Sequence, residues 1–181
     1  MEYHKIIQLK DGRTCCLRNG TANDAAAVLA NFILTHGQTD FLTTYPEECT
    51  LTVEEESRYL QARAESAREI EILAEVDGEV AGTAGVDAIS RREKLLHRAN
   101  FGISVDRRFW GLGIGRALLE ACIECARKAG YEQLELEAVA ANERAVALYK
   151  KAGFTEFGRN PKGFRSRLSG YQELVNMRLE L

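Results

Sequence analysis

Residues 100–139 read as a strand, a glycine-rich turn, a long helix and a second strand, and this run limits the possible folds more than any other part of the chain. Residues 100–105 have strand character, and from Ile114 the apolar positions 114, 117, 118, 121, 122, 125 and 129 keep helical spacing. Arg127 and Lys128 fall in the last turn, and Gly130 stands where helices commonly end on a glycine. Residues 134–139 then alternate as a strand does. A strand, helix and strand in this order join parallel neighbours of one sheet. The fold class is therefore α/β.

Around this unit the other signals add mainly antiparallel pieces. Residues 14–18 read as a strand, and Thr21 and Asp24 have capping-box spacing before an apolar run that predicts a helix ending near Gly37. Thr52 caps a second helix with Glu54, Glu55 and Glu56 in its first turn, predicted to run to about Glu69. Residues 70–76 and 79–89 form a hairpin about Asp77-Gly78. Residues 143–152 predict a helix stopped by Gly153, two strands follow over 154–157 and 171–179, and residues 161–171 are expected to form a loop. Two prolines and no Gly/Ser-rich linker in 181 residues point to a single domain, 1–181.

Charge and cysteine usage exclude several functions. The net charge of −3 argues against a nucleic-acid binder, and no apolar run approaches the roughly 20 residues that cross a bilayer. The first residues lack the apolar stretch of a secretion signal, and five cysteines, with Cys15 and Cys16 adjacent, suit a reducing compartment. A cytoplasmic protein without membrane or nucleic-acid partners is expected. Cys122 and Cys125 lie on the apolar stripe of the long helix and read as core; with His4, His36 and His97 scattered, no metal site is expected. Charge is uneven along the chain: residues 47–79 hold 11 acids and 3 bases, residues 91–116 hold 7 bases and 2 acids.

The turn Gly111-Leu112-Gly113-Ile114-Gly115-Arg116 opens the long helix with small residues, a basic residue and no acid. Backbone N–H groups and the helix dipole at such a point favour an anion. A Walker loop requires Gly-Lys-Ser/Thr, and Gly115-Arg116-Ala117 does not supply it; the dinucleotide fingerprint requires glycine at the position of Arg116. Tight strand-to-helix packing remains an alternative reason for these glycines.

This loop, continued by Ala117 and Leu118, and the segment Asn142-Glu143-Arg144-Ala145-Val146-Ala147-Leu148-Tyr149-Lys150-Lys151-Ala152-Gly153-Phe154 together resemble two motifs of the GNAT superfamily of N-acetyltransferases. These are its acyl-CoA loop and its Asn-x-x-Ala-x-x-Leu-Tyr-x-x-x-Gly-Phe motif. The resemblance implies a mixed, mostly antiparallel sheet flanked by about four helices and splayed between its fourth strand, residues 100–105, and its fifth, residues 134–139. Acetyl-CoA would enter the split as cosubstrate. Its pyrophosphate would lie on the amides of Leu112, Gly113, Ile114, Gly115 and Arg116, and its pantetheine arm would meet the backbone of Ile103 and Val105 and the side chain of Asn142. Trp110 departs from the family's usual Gln or Arg and removes a side-chain contact. Arg107 and Arg108 are further candidate phosphate partners, weaker than Arg116.

The resemblance also assigns roles. Tyr149 occupies the position of a general acid facing the sulfur, and a phenol of ordinary pKa near 10 is protonated at neutral pH. Leu136-Glu137-Ala138 resembles the segment carrying the base in relatives that acetylate ribosomal-protein N-termini, which makes Glu137 the candidate base; Glu75 and water are alternatives. The implied activity is direct acetyl transfer to a primary amine, either a small molecule or a peptide N-terminus, by a monomer or homodimer. The acidic stretch 47–79 is expected either to favour a cationic acceptor or to form a solvated face. A non-catalytic acyl-CoA sensor is the alternative function.

Overall fold

The computed structural model describes residues 1–181. Along the chain run β1 (His4–Gln8), β2 (Thr14–Asn19), α1 (Ala25–Gly37), α2 (Val53–Glu65), β3 (Ile70–Val76), β4 (Glu79–Ala88), β5 (Arg98–Val105), α3 (Ile114–Lys128), β6 (Gln133–Val139), α4 (Glu143–Lys151), β7 (Thr155–Ser166) and β8 (Gly170–Glu180). The strands form one sheet in the order β1-β2-β3-β4-β5-β6-β8-β7, antiparallel everywhere except between β5 and β6. The predicted hairpin is present: Asp77 and Gly78 both take positive φ, 52° and 82°, as a two-residue turn with the sheet's own twist requires.

Alternation along the strands sorts the two faces. Ile70, Ile72, Ala74 and Val76 of β3 join Ile114, Leu118, Leu119 and Cys122 of α3 in the main core, which Tyr149 of α4 also enters. Leu73 turns the other way and meets Val28 of α1 and Leu60 of α2 in a smaller cluster. The helices α3 and α4 thus cover one face, and α1 and α2 the other. Each fully buried Leu or Ile contributes on the order of 1.5–3 kcal/mol. Cys122 and Cys125 are buried in this core, as expected from the helical stripe.

Partial pairing opens the sheet between two of its central strands. β5 and β6 are joined only at Arg98–Gln133, Ala99–Leu134 and Asn100–Glu135. Beyond that point β5 stays bound to β4 as far as Val105, and β6 stays bound to β8 as far as Val139, so the sheet opens into a wedge. The split falls between the fifth and sixth strands because β1 precedes the strands read from sequence.

Three boundaries differ from the sequence reading. β1 was not anticipated; it pairs only with β2 and is mostly exposed, so His-Lys-Ile-Ile-Gln carries no buried alternation. α2 stops at Glu65, where Ser66 turns out of helix and its Oγ accepts from the N–H groups of Arg68 and Glu69 at 3.2 and 3.0 Å. Residues 161–166, expected in a loop, belong to β7. A register irregularity between Asn160 and Phe164 absorbs Pro161, whose missing N–H is no loss there.

Candidate active site

The glycine turn leads directly from β5 into α3. Gly111 and Gly113 take φ of 85° and 105°, a region closed to most side chains, and Gly113 is the N-cap of α3. Gly115 differs: it lies within the helix, and a Cβ there would meet only Leu148 Cδ2 at 3.8 Å, so internal packing does not demand a glycine. None of the backbone N–H groups from Gly111 to Arg116 donates within the chain; the first bonded one is Ala117, to the Gly113 carbonyl at 3.1 Å. By contrast, Thr52 and Asn142 cap α2 and α4 with side-chain oxygens. Six successive free donors, at the positive end of a helix with no acid in its first turn, fit a ligand with several phosphate oxygens.

The rest of the approach lies along β5. Asp106 N–H reaches the Ala81 carbonyl of β4 at 2.9 Å, while Gln133 N–H of β6 reaches the His97 carbonyl at 3.0 Å. With the two-residue alternation of a strand, the N–H and C=O groups of Phe101, Ile103 and Val105 therefore face the split. The Val105 carbonyl is already taken by the Trp110 indole N–H at 2.7 Å. Trp110 does more than remove a family contact. The guanidinium carbons of Arg107 and Arg144 each stand 5.5 Å from its ring centroid.

The arginines of the turn are not equivalent. Arg108 is held by Asp106 at 2.7 Å and Glu79 at 3.0 Å, and Arg116 by Glu120 at 2.7 Å on an exposed helix face. Burial pushes the Asp106 carboxyl up in pKa, but hydrogen bonds from Gln38 and Arg108 outweigh it and leave the group below its ordinary value. Arg107 and Arg144 make no ion pair. Arg144 was missed in the sequence, although it sits inside the quoted motif, because helical spacing alone does not say which neighbour a long side chain reaches.

At the mouth of the wedge is a cleft of about 550 Å³ whose lining includes Ile103, Glu137, Asn142 and Tyr149. Four of the residues singled out from sequence therefore share one cavity, although they come from β5, β6, the turn before α4, and α4 itself. Tyr149 packs edge-on to Phe101, ring centroids 6.2 Å apart, and tilted against Phe154 at 6.0 Å. Burial pushes its pKa up to about 12, so the phenol keeps its proton through the neutral range. Asn142 Oδ1 accepts from Ala145 N–H at 3.3 Å, which leaves its amide N–H groups to the cleft.

The two glutamates of β6 point to the α1/α2 face, yet only one is free. Arg98 clamps Glu135 with bonds of 2.6 and 2.8 Å, whereas Glu137 is exposed in the cleft and makes no ion pair. Glu75 lies elsewhere. It accepts from Arg18 at 2.8 Å beside Asp24, whose pKa its own hydrogen bonds with Arg18 pull down to about 2 against burial. None of the acids of residues 47–79 lines the cleft, so the acidic stretch forms helix surface, strand and turn around it. The further lining residues Phe41, Phe157, Phe164 and Asn176 carried no signal in the sequence, since they meet only through the tertiary fold.

The family model described as "Acetyltransferase (GNAT) family" matches residues 36–154. The chain belongs to this family. Among curated relatives of this GNAT protein, the L-amino acid N-acetyltransferase AaaT of Escherichia coli is 34% identical over 93 residues, 51% of this chain and 57% of that protein. The [ribosomal protein bS18]-alanine N-acetyltransferase of Escherichia coli is 46% identical over 56 residues, 31% of this chain and 38% of that protein. The chain thus spans little more than half, or less, of these relatives' length. A GNAT-family acetyltransferase from Streptococcus pneumoniae superimposes with a TM-score of 0.88 at 29% identity, covering 92% of this chain and 99% of that one. The Salmonella typhimurium protein yncA, solved with its cofactor acetyl-CoA, shares the fold at a TM-score of 0.80 and 21% identity, over 91% and 92% of the two chains.

Proposed function

We propose that this GNAT protein is an N-acetyltransferase that moves an acetyl group from acetyl-CoA directly to a primary amine held in the same cleft. The observation that carries this reading is the run of six free N–H groups, Gly111 to Arg116, opening beside a cleft that contains both an unpaired carboxylate and a buried phenol. Acetyl-CoA supplies an activated thioester when bound. The amides of Leu112, Gly113, Ile114, Gly115 and Arg116 hold its pyrophosphate, the β5 edge at Ile103 and Val105 and the Asn142 amide hold its pantetheine arm, and Arg107 and Arg144 add positive charge beside the loop.

Glu137 accepts a proton from the acceptor ammonium, directly or through water, so that the nucleophile is the neutral amine. Tyr149 donates its phenolic proton to the departing sulfur; burial keeps the phenol protonated throughout the neutral range. The test is thiol release from acetyl-CoA with and without a panel of amines, followed by mass analysis of the amine. Amine-dependent release with acetylated product is expected. Tight binding of acetyl-CoA without release from any amine would instead identify a non-catalytic acyl-CoA sensor.

A further inference from the structure

We infer that the acceptor is an amine bearing an apolar group of aromatic size and no carboxylate beside the amine. This rests on the transferase reading above and narrows it. The acceptor side of the cleft is walled by Phe41 and Leu42 from the α1–α2 connection, Phe157 and Phe164 of β7, and Leu174 of β8. Two carboxylates line the cleft: that of Glu135 is neutralised by Arg98, which leaves the carboxylate of Glu137, paired in register with Asn176, as its unpaired charge. An ammonium is attracted there and accepted by the ring faces; an adjoining carboxylate meets a like charge.

No lysine or arginine lines the cleft to receive such a carboxylate, and most of the cations near the aromatic walls are engaged by acids. Arg98 holds Glu135, Arg178 holds Glu180 at 2.7 Å, and Arg159 holds Glu156 and Glu173 at 2.5 and 2.7 Å. Arg167 pairs with Glu47 and stacks on Tyr45 at 4.0 Å, while Lys162 and Arg165 lie over Tyr171, which does not line the cleft. The aromatic walls are also held in place. Asp40 accepts from Ser166 Oγ and Ser169 Oγ, each at 2.7 Å, and from Gln172 Nε2 at 3.1 Å, which ties the connection carrying Phe41 to the hairpin tip beside Phe164.

The experiment compares kcat/KM for phenylethylamine, phenylalanine and ethylamine at saturating acetyl-CoA. The amine of phenylalanine is no more basic than that of phenylethylamine, so supply of free amine does not produce the expected difference. Phenylethylamine should exceed phenylalanine and ethylamine by at least tenfold each. A Phe-initiated peptide amide separates the two sources of this chemistry: turnover like that of phenylethylamine assigns a chain terminus as well, and its rejection assigns a small amine. Phe157→Ala, at a side chain already half exposed, should lower the phenylethylamine-to-ethylamine ratio at least fivefold. Phenylalanine equalling phenylethylamine, or ethylamine matching it, would overturn the inference. Absence of release from every amine would refute the transferase reading instead; calorimetric binding of the same compounds to the CoA-saturated protein then gives the ranking without turnover, and the same two equalities overturn the inference.

Discussion

Gly113→Ala separates the ligand-binding reading of the glycine turn from the purely structural one, provided it is read beside Gly130→Ala. Both glycines flank α3, at its N-cap and just past its C-terminus, with φ of 105° and 77°. A Cβ built at either would meet nothing within 4 Å, so each substitution costs backbone strain alone, about 1–2 kcal/mol. For a domain of this size that lowers Tm by roughly 2–8 °C in both variants. Affinity should divide them. Gly113 lies in the middle of the free N–H run, and losing even one hydrogen bond to a charged phosphate oxygen costs about 1.5–3 kcal/mol, or tenfold to a hundredfold in Kd. Gly130 lies at the far end of the helix and should leave Kd within about twofold, a margin of roughly 0.4 kcal/mol. The assay is calorimetric titration with acetyl-CoA on variants whose unfolding curves are measured in parallel. Equal affinities for the two folded variants would refute the phosphate cradle and leave the turn as a packing device.

Tyr149→Phe deletes one hydroxyl and preserves the contacts with Phe101 and Phe154; kcat should fall by about 10²-fold with little change in acetyl-CoA affinity, and a near-normal kcat would return the ring to a core role. Glu137→Gln should lower kcat/KM most near neutral pH and least at alkaline pH, where solvent supplies free amine; a uniform loss across the profile would point to acceptor positioning instead. Glu71, beneath α2, has its pKa pushed from 4.5 to about 7, chiefly by burial. The native state therefore binds the extra proton between those values, so this group's contribution to stability is full below pH 4.5 and falls as pH rises to 7, by at most about 3 kcal/mol. Glu71→Gln should remove that decline in denaturant titrations at pH 5 and 8, and an unchanged decline would assign it to other groups.

What the sequence made legible follows the range of the forces involved. α3 could be read to its last turn because one stripe of it meets the sheet, and the β3–β4 hairpin because Asp77-Gly78 fixes its own turn geometry. β7 was hidden because Pro161 and Gly163 mark a loop locally. In the folded chain they occupy an irregularity where a Cβ on Gly163 would lie 2.3 Å from Leu174 Cγ, so the glycine serves close strand approach. Most of the residues proposed for the cofactor side lie within two local motifs and were therefore nameable from sequence. The other lining of the cleft was not, since Phe41, Phe157, Phe164 and Asn176 come from segments more than a hundred residues apart at their extremes and no local pattern links them. The roles of Arg107, Arg108 and Arg116 likewise depended on neighbours distant in sequence or on a choice of partner that spacing does not fix.

The central claim, that the wedge between β5 and β6 holds acetyl-CoA with its reacting end between Glu137 and Tyr149, is tested most directly by a crystal structure of the protein with CoA. The account predicts pyrophosphate oxygens within hydrogen-bonding distance, about 2.7–3.2 Å, of N–H groups among residues 112–116. It also predicts a pantetheine arm against the Ile103 and Val105 backbone, and the sulfur facing the Tyr149 hydroxyl. A CoA molecule bound outside the wedge, or one whose phosphates leave the turn's N–H groups untouched, would contradict it.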